Sequence, residues 1–139
     1  MTAAASRTVV LDSSALVALL VDRGATGDWV AATIDARELA APQLALFEAA
    51  NVLRRHEMSG VLDGTAAMLA HQDLVTLPMQ LWPYSLFSDR VWQLRQDMTA
   101  YDAAYVALAE SLDAPVVTLD RRLSRAAGTR CPILTPPVI

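Results

Sequence analysis

The sequence predicts an α/β fold built on a mainly parallel sheet with helices over both faces. Three observations predict it. Short apolar runs rich in β-branched residues alternate with longer stretches of helical spacing, the pattern of strand–helix–strand units. Two of these runs, Val9-Val10-Leu11-Asp12 and Val116-Val117-Thr118-Leu119-Asp120, end on an acid. No linker, low-complexity tract or internal repeat divides the 139 residues, so residues 1–139 are expected to form one domain with its own core.

Residues 7–11 read as the first strand, three β-branched residues followed by Leu11. Ser13 or Ser14 is placed to cap a helix over Ala15–Val21, and a second helix is expected over Gly27–Ala36. Leu39–Ala41 reads as a short strand stopped by Pro42. Gln43–Met58 is a clear helix ended by Ser59-Gly60, and Asp63 can cap another over Gly64–Leu74. Val75–Leu81 is apolar enough for a strand, but Pro78 demotes it to an edge or a loop. Phe87, Val91, Leu94 and Met98 stand at helical spacing and predict a helix over Tyr84–Met98. Tyr101–Leu112 is another helix. Pro115–Leu119 reads as a strand, Arg121–Ala127 as a short helix closed by Gly128, and Ile133-Leu134 as a last short strand. In open sheets of this kind ligands bind beyond the carboxyl ends of the strands, which is where Asp12 and Asp120 fall.

The composition is apolar, with 54% hydrophobic residues, so a covered partner surface is expected. It is not a membrane span: the longest apolar run, Val9 to Val21, carries Asp12 and two serines and falls short of the ~20 residues needed. The N-terminus shows no apolar leader, and Cys131 is the single cysteine, so a reducing, cytoplasmic setting is expected, with release outside the cell as the alternative. The net charge is −4 and lysine is absent, which argues against a broadly basic nucleic-acid surface. Two divalent cations bound to clustered acids would cancel that charge and leave the arginines to act elsewhere on the surface.

Four acids stand in apolar surroundings: Asp12, Glu48, Asp102 and Asp120. A buried acid is costly unless it is paired, hydrogen-bonded or bound to a cation. Glu48 is the sharpest case, because its helical neighbours Leu44, Ala45, Asn51 and Val52 include no cation. The other three have ordinary explanations. Asp12 before two serines is common turn chemistry, Thr99-x-x-Asp102 resembles a capping box, and Asp120 can cap the Arg121 helix. Thr118 shares a strand face with Asp120. Asp97 is close enough to Asp102 to reach the same region but, like Glu110, reads as solvated surface, and His56 and His71 have no metal spacing. An all-carboxylate set suits the hard cations Mg²⁺ or Mn²⁺, which can activate water against a phosphodiester without a protein nucleophile. Arg54, Arg55, Arg121, Arg122 and Arg125 are candidates for holding phosphates, with a solvated helix face as the plain alternative for each. No phosphate-binding glycine loop or serine-hydrolase elbow occurs.

The same residues carry a family pattern. Val10-Leu11-Asp12-Ser13-Ser14-Ala15-Leu16-Val17-Ala18 resembles the opening of a PIN domain, and Phe47-Glu48-Ala49-Ala50-Asn51-Val52-Leu53 resembles its glutamate helix. Thr99 to Ala109, around Asp102, resembles the third acidic motif, and Val117 to Leu123, around Asp120, the fourth. The set occurs in family order over almost the whole chain and is most similar to the VapC-type toxins of type II toxin–antitoxin pairs. The resemblance implies a Rossmann-like three-layer α/β/α sandwich and Mg²⁺- or Mn²⁺-dependent endoribonuclease activity. It implies a metal centre of Asp12, Glu48, Asp102 and Asp120, with Ser13 and Thr118 as supporting hydroxyls. It also implies an RNA substrate, a cognate antitoxin over the acidic groove and a homodimer. The missing lysine departs from the family, so any phosphate grip falls to arginine or backbone.

Two other classes compete. An aspartyl-phosphate phosphatase or phosphotransferase would use Asp12 as nucleophile, but usually wants a second acid where this chain has Ser14. A non-catalytic binding module would use the acids only to hold a basic partner.

Overall fold

The structure, a computed structural model, describes residues 7–138. The expectation about an N-terminal leader falls partly on residues 1–6, outside the described residues. Strands β1 (Thr8–Leu11), β2 (Glu38–Pro42), β3 (Gln80–Trp82), β4 (Val116–Val117) and β5 (Ile133–Leu134) form one sheet in the order β3-β2-β1-β4-β5. Every neighbouring pair is parallel. β1 lies at the centre, with Val10 opposite Ala40 on one side and Val116 on the other. Val9, Val10, Leu11, Val116 and Val117 are completely buried, as continuous apolar strands must be when both sheet faces are covered.

The covering layers follow from strand order. Chain growth from β1 to β2 to β3 runs toward one edge, through α1 (Ser13–Val21), α2 (Ala25–Ile34), α3 (Leu44–Met58) and α4 (Gly64–Thr76). It then returns through α5 (Ser88–Gln93) and α6 (Ala100–Ser111) to place β4 on the other side of β1. Right-handed crossovers in opposite directions put their helices on opposite faces, which gives three α/β/α layers. α1 packs on α2, α3 and α4, while α5 packs on α6, and α6 lies against β1, β2 and β4. Ala45, Ala49 and Leu53 recur at helical spacing and form the buried stripe of α3. Ala103 to Ala109 are all buried, so α6 is apolar almost all round and is enclosed on most sides. The remaining element, α7 (Arg121–Ser124), is a single turn between β4 and β5. No described helix is long and apolar enough to cross a membrane.

Several boundaries differ from those predicted. Asp12, not Ser13 or Ser14, caps α1: its carboxylate accepts from the Ala15 amide. α2 starts and ends two residues earlier than predicted. α4 runs on through Thr76, which leaves β3 only three residues, at the edge position that Pro78 suggests. The single helix predicted over Tyr84–Met98 is broken into a 3-10 turn at Tyr84–Leu86 and the short α5. Phe87 leaves helical geometry with φ −136°, yet Phe87, Val91 and Leu94 are all buried, so the apolar face is real although the helix is not continuous. Likewise α7 stops at Ser124, short of the predicted Ala127. Glu110 is no solvated acid: it receives Arg90 Nε at 2.6 Å and the Arg130 amide at 2.7 Å, tying α5 and α6 to the segment before β5.

Candidate functional site

Between β1 and β4 the strand order reverses, and the crevice there is the expected binding position of an open parallel sheet. Asp12 follows β1, and Thr118, Leu119 and Asp120 follow β4. The two strand ends are stitched together. Asp12 Oδ1 accepts from Ser14 Oγ at 2.6 Å and from the Ala15 amide at 3.0 Å, and Oδ2 accepts from Thr118 Oγ1. Ser14 Oγ in turn accepts from the Leu119 amide at 3.0 Å, and Thr118 Oγ1 accepts from the Asp120 amide at 3.0 Å. Among the described residues Asp12 and Thr118 are buried polar side chains of the core.

Glu48 enters from the first full turn of α3, where both its layer and the sheet end. Tyr105 of α6 donates its hydroxyl to Glu48 Oε1 at 2.5 Å. Asp102 sits in the first turn of α6, where the Thr99 hydroxyl accepts its amide at 3.2 Å. Its carboxylate lines a cleft of about 190 Å³ with Thr99, Asp120, Arg122 and Leu123. Asp120 caps α7 by accepting the Arg122 amide at 2.9 Å. Asp12 and Asp120 therefore act as helix caps, while the box expected at Thr99 and Asp102 shows only its Thr99 half, and these roles coexist with a shared electrostatic environment.

That environment links all four acids. Burial pushes the Asp12 carboxyl up, its hydrogen bonds from Ser14, Thr118 and Ala15 oppose this, and the Asp120 charge adds to it. Burial also raises Glu48, against the Tyr105 hydrogen bond and with the charges of Asp12 and Asp102. Asp102 is raised by burial and by Asp120, with Arg122 and Thr99 opposing. Asp120 alone is lowered, chiefly by its hydrogen bond from the Arg122 side chain. Each acid thus repels two others in a closed circuit: Asp12 with Asp120 and Glu48, and Asp102 with the same two.

The donor chemistry fits a hard divalent cation. The cluster offers oxygen ligands only, and three of its members bind protons more readily than usual, chiefly because they are buried and secondarily because other acids stand near them. Among the described residues no three His, Cys, Asp or Glu side chains stand together as a finished ion site. Asp12 is held by hydroxyls, Glu48 by Tyr105 and Asp120 by Arg122, so an ion would have to turn some of these groups toward itself.

The predicted arginines disperse. Arg122 lies on Asp120, with Nε 3.1 Å from Oδ1 and a terminal nitrogen 2.9 Å from Oδ2. Arg121 reaches the Pro137 carbonyl at 3.4 Å instead. Arg54 lines a separate cleft between α3 and α4 with Glu57 and His71. Arg55 stands two turns beyond Glu48 on the same helix and is exposed. Two site residues were missed by sequence reasoning. Tyr105 is placed by its spacing of three from Asp102, but nothing local announces a hydroxyl partner on another helix. Ser14, rather than Ser13, bonds Asp12, a choice set by how α1 leaves the strand. Beside the acids, Ser13, Ser14, Val17, Ala18, Val21, Val52 and His56 line a mostly apolar groove of about 300 Å³.

Comparison with known proteins gives one consistent answer. The model of the PIN domain matches residues 9–129. Ribonuclease VapC9 of Mycobacterium tuberculosis is 36% identical over 132 residues, 93% of this chain and 98% of that protein. The crystal structure of PAE2754 from Pyrobaculum aerophilum superposes with a TM-score of 0.64 at 26% identity, covering 91% of this chain and 82% of that one. VapC20 of Mycobacterium tuberculosis, described as a sarcin-ricin loop cleaving toxin, superposes with a TM-score of 0.65 at 15% identity, over 87% of this chain and 95% of that one. At that identity the likeness is one of fold.

Proposed function

The chain belongs to the PIN domain family, and from that premise we propose that it is a Mg²⁺- or Mn²⁺-dependent endoribonuclease, the toxin of a toxin–antitoxin pair. The observation that carries this reading is the gathering of four acids at the switch point of the sheet: Asp12 is joined through Thr118 to the Asp120 amide, Asp102 and Asp120 line one cleft, and Glu48 is held from α6 by Tyr105. Asp12 and Asp102 would hold the ion directly, with Glu48 and Asp120 as further ligands. The chemistry such an ion supplies is activation of water and stabilisation of charge on the phosphodiester oxygens.

The protein's own groups do the rest. Thr118 and Ser14 fix the direction of the Asp12 carboxylate. Tyr105 fixes Glu48 through Oε1, and Glu48 Oε2 accepts no hydrogen bond among the described residues. That oxygen is free to orient an attacking water and take its proton, a role suited to a carboxyl whose proton affinity is raised. Ser13, at the start of α1, lines the groove beside the acids. Arg122, which lines the cleft with Asp102 and Asp120, is placed to serve the RNA phosphates, with Arg54, Arg55 and Arg121 as further candidates on the surface.

An antitoxin segment would cover the apolar groove beside Ser13 and Val52, which opens next to the acids. Exposed apolar residues such as Phe47, at 80% exposure on α3, suit a second copy of the chain. The aspartyl-phosphate alternative is weaker, because both Asp12 oxygens accept hydrogen bonds and the side chain is 8% exposed. The test is cleavage of total RNA with Mg²⁺ or Mn²⁺, with and without chelator. Asp12→Asn and Asp102→Asn should each lower metal-dependent cleavage by about 100-fold or more, since ligand loss forfeits several kcal/mol of transition-state stabilisation. Undiminished cleavage by both variants would overturn the assignment.

A further inference from the structure

We propose that Arg122 is the resident counter-ion of the acid cluster: with no divalent cation present its guanidinium occupies both oxygens of Asp120, and when a divalent cation enters it releases Asp120 and turns to a phosphate of the RNA. The inference rests on the function proposed above for the ion and the RNA, and it assigns Arg122 one role in each of two states.

The geometry supports both states. In the first, the guanidinium forks onto Asp120, Nε to Oδ1 at 3.1 Å and a terminal nitrogen to Oδ2 at 2.9 Å. A carboxylate held in that fork has few lone pairs left to give an ion. Among the described residues Asp120 is accordingly the one acid of the four in a direct ion pair, while Arg122 acts on Asp102 only from a distance. In the second state nothing packs the arginine in place. Its side chain is 86% exposed, on a helix of one turn, and an ion pair so open to water is weak and easily exchanged. Releasing the fork does not release Asp120. The Arg122 backbone amide still donates to Oδ1 at 2.9 Å, so the carboxylate stays aimed while Oδ2 becomes free. The freed guanidinium hangs at the mouth of the cleft that Asp102 and Asp120 line, where a phosphate bound to the ion would lie. The neighbouring arginines are engaged elsewhere: Arg121 donates to the Pro137 carbonyl and Arg125 to the Arg121 carbonyl, each at 3.4 Å, and the chain has no lysine.

The two roles make opposite demands, which is what the experiment reads. Mn²⁺ binding to the full chain is measured by the loss of free-ion electron paramagnetic resonance signal, without RNA, for wild type, Arg122→Ala and Arg122→Lys. Removing the competitor should tighten Mn²⁺ binding by about 2- to 5-fold in Arg122→Ala, the modest effect expected of an exposed ion pair. Arg122→Lys keeps the charge but loses the fork and should fall between the two. The KM for a fluorogenic RNA oligonucleotide should move the other way, rising by about 3-fold in Arg122→Ala for one lost phosphate contact. Mn²⁺ binding that is unchanged or weaker in Arg122→Ala would overturn the counter-ion role while leaving the proposed nuclease intact. If neither protein binds Mn²⁺ saturably, the four-acid metal centre fails, and this inference fails with it.

Discussion

Tyr105 joins the two helical layers at the level of a single oxygen atom. Its ring is buried in α6, and its hydroxyl crosses to Glu48 on α3 at 2.5 Å. Burial and the neighbouring carboxylate push the Tyr105 hydroxyl's own titration far above its ordinary range, so it stays protonated and donates to Glu48. A donor to a carboxylate favours its ionised form, and this bond is the one influence holding Glu48 down against burial and two acidic neighbours. Tyr105→Phe keeps the ring and removes the donor. Glu48 should then protonate at higher pH, and the acidic limb of the kcat profile should shift upward. A hydrogen bond to a charged group is worth about 1.5–3 kcal/mol, so kcat at neutral pH should fall by about tenfold or more. A limb that stays in place in Tyr105→Phe would show that Glu48 is not the titrating group. The sequence exposes Glu48 well, because its helix offers no cation, but it hides Tyr105. A tyrosine among alanines reads as core, and the partner of its hydroxyl lies 57 positions away.

At the scale of elements, the way α2 folds back on α1 depends on one missing side chain. A Cβ at Gly27 would stand 2.0 Å from the Asp22 carbonyl oxygen and 2.8 Å from its carbon. Both are backbone atoms at the end of α1, so no rotamer change relieves the clash. Gly27→Ala should therefore destabilise the fold by about 1–3 kcal/mol, the usual range for overpacking, although alanine is the better helix former. Urea unfolding checks the size, and a midpoint equal to wild type would mean that α2 can shift without cost. Long elements with a strong apolar period were readable: α3, α4 and α6 lie within two residues of their predicted limits. Elements whose limits depend on neighbours were not. Phe87, Val91, Leu94 and Met98 have helical spacing, but turning Phe87 into the core takes a break at Phe87 itself. The strand expected over Val75–Leu81 contracts to Gln80–Trp82, because only three residues reach the β2 edge in register. Glu110 looked solvated because its partner, Arg90, lies on a different helix.

For the whole molecule, the acid circuit sets how stability depends on pH. Asp12, Glu48 and Asp102 have raised folded-state values, so between the ordinary carboxylate range near about 4 and those raised values the folded protein binds more protons than the unfolded chain. Stability in chelator should therefore fall as pH rises through that window and increase on mild acidification. Asp120 has the opposite sign. Its folded value is lowered, so its contribution is present above the ordinary carboxylate range and is lost as pH falls below it. The melting temperature of chelator-treated protein should thus climb as pH falls through the raised values and turn down only below the ordinary carboxylate range. Mg²⁺ or Mn²⁺ binds the folded, ionised cluster, so either ion should raise the melting temperature most at the alkaline end and flatten the climb. Asp12→Asn removes the most deeply buried of the four charges and should flatten it even in chelator. Scanning calorimetry of wild type and Asp12→Asn, with and without Mn²⁺, reads all of these slopes. A wild-type melting temperature that rises with pH in chelator would mean that the folded acids are not short of positive charge. The electrostatic case for a divalent cation at the switch point would then fall.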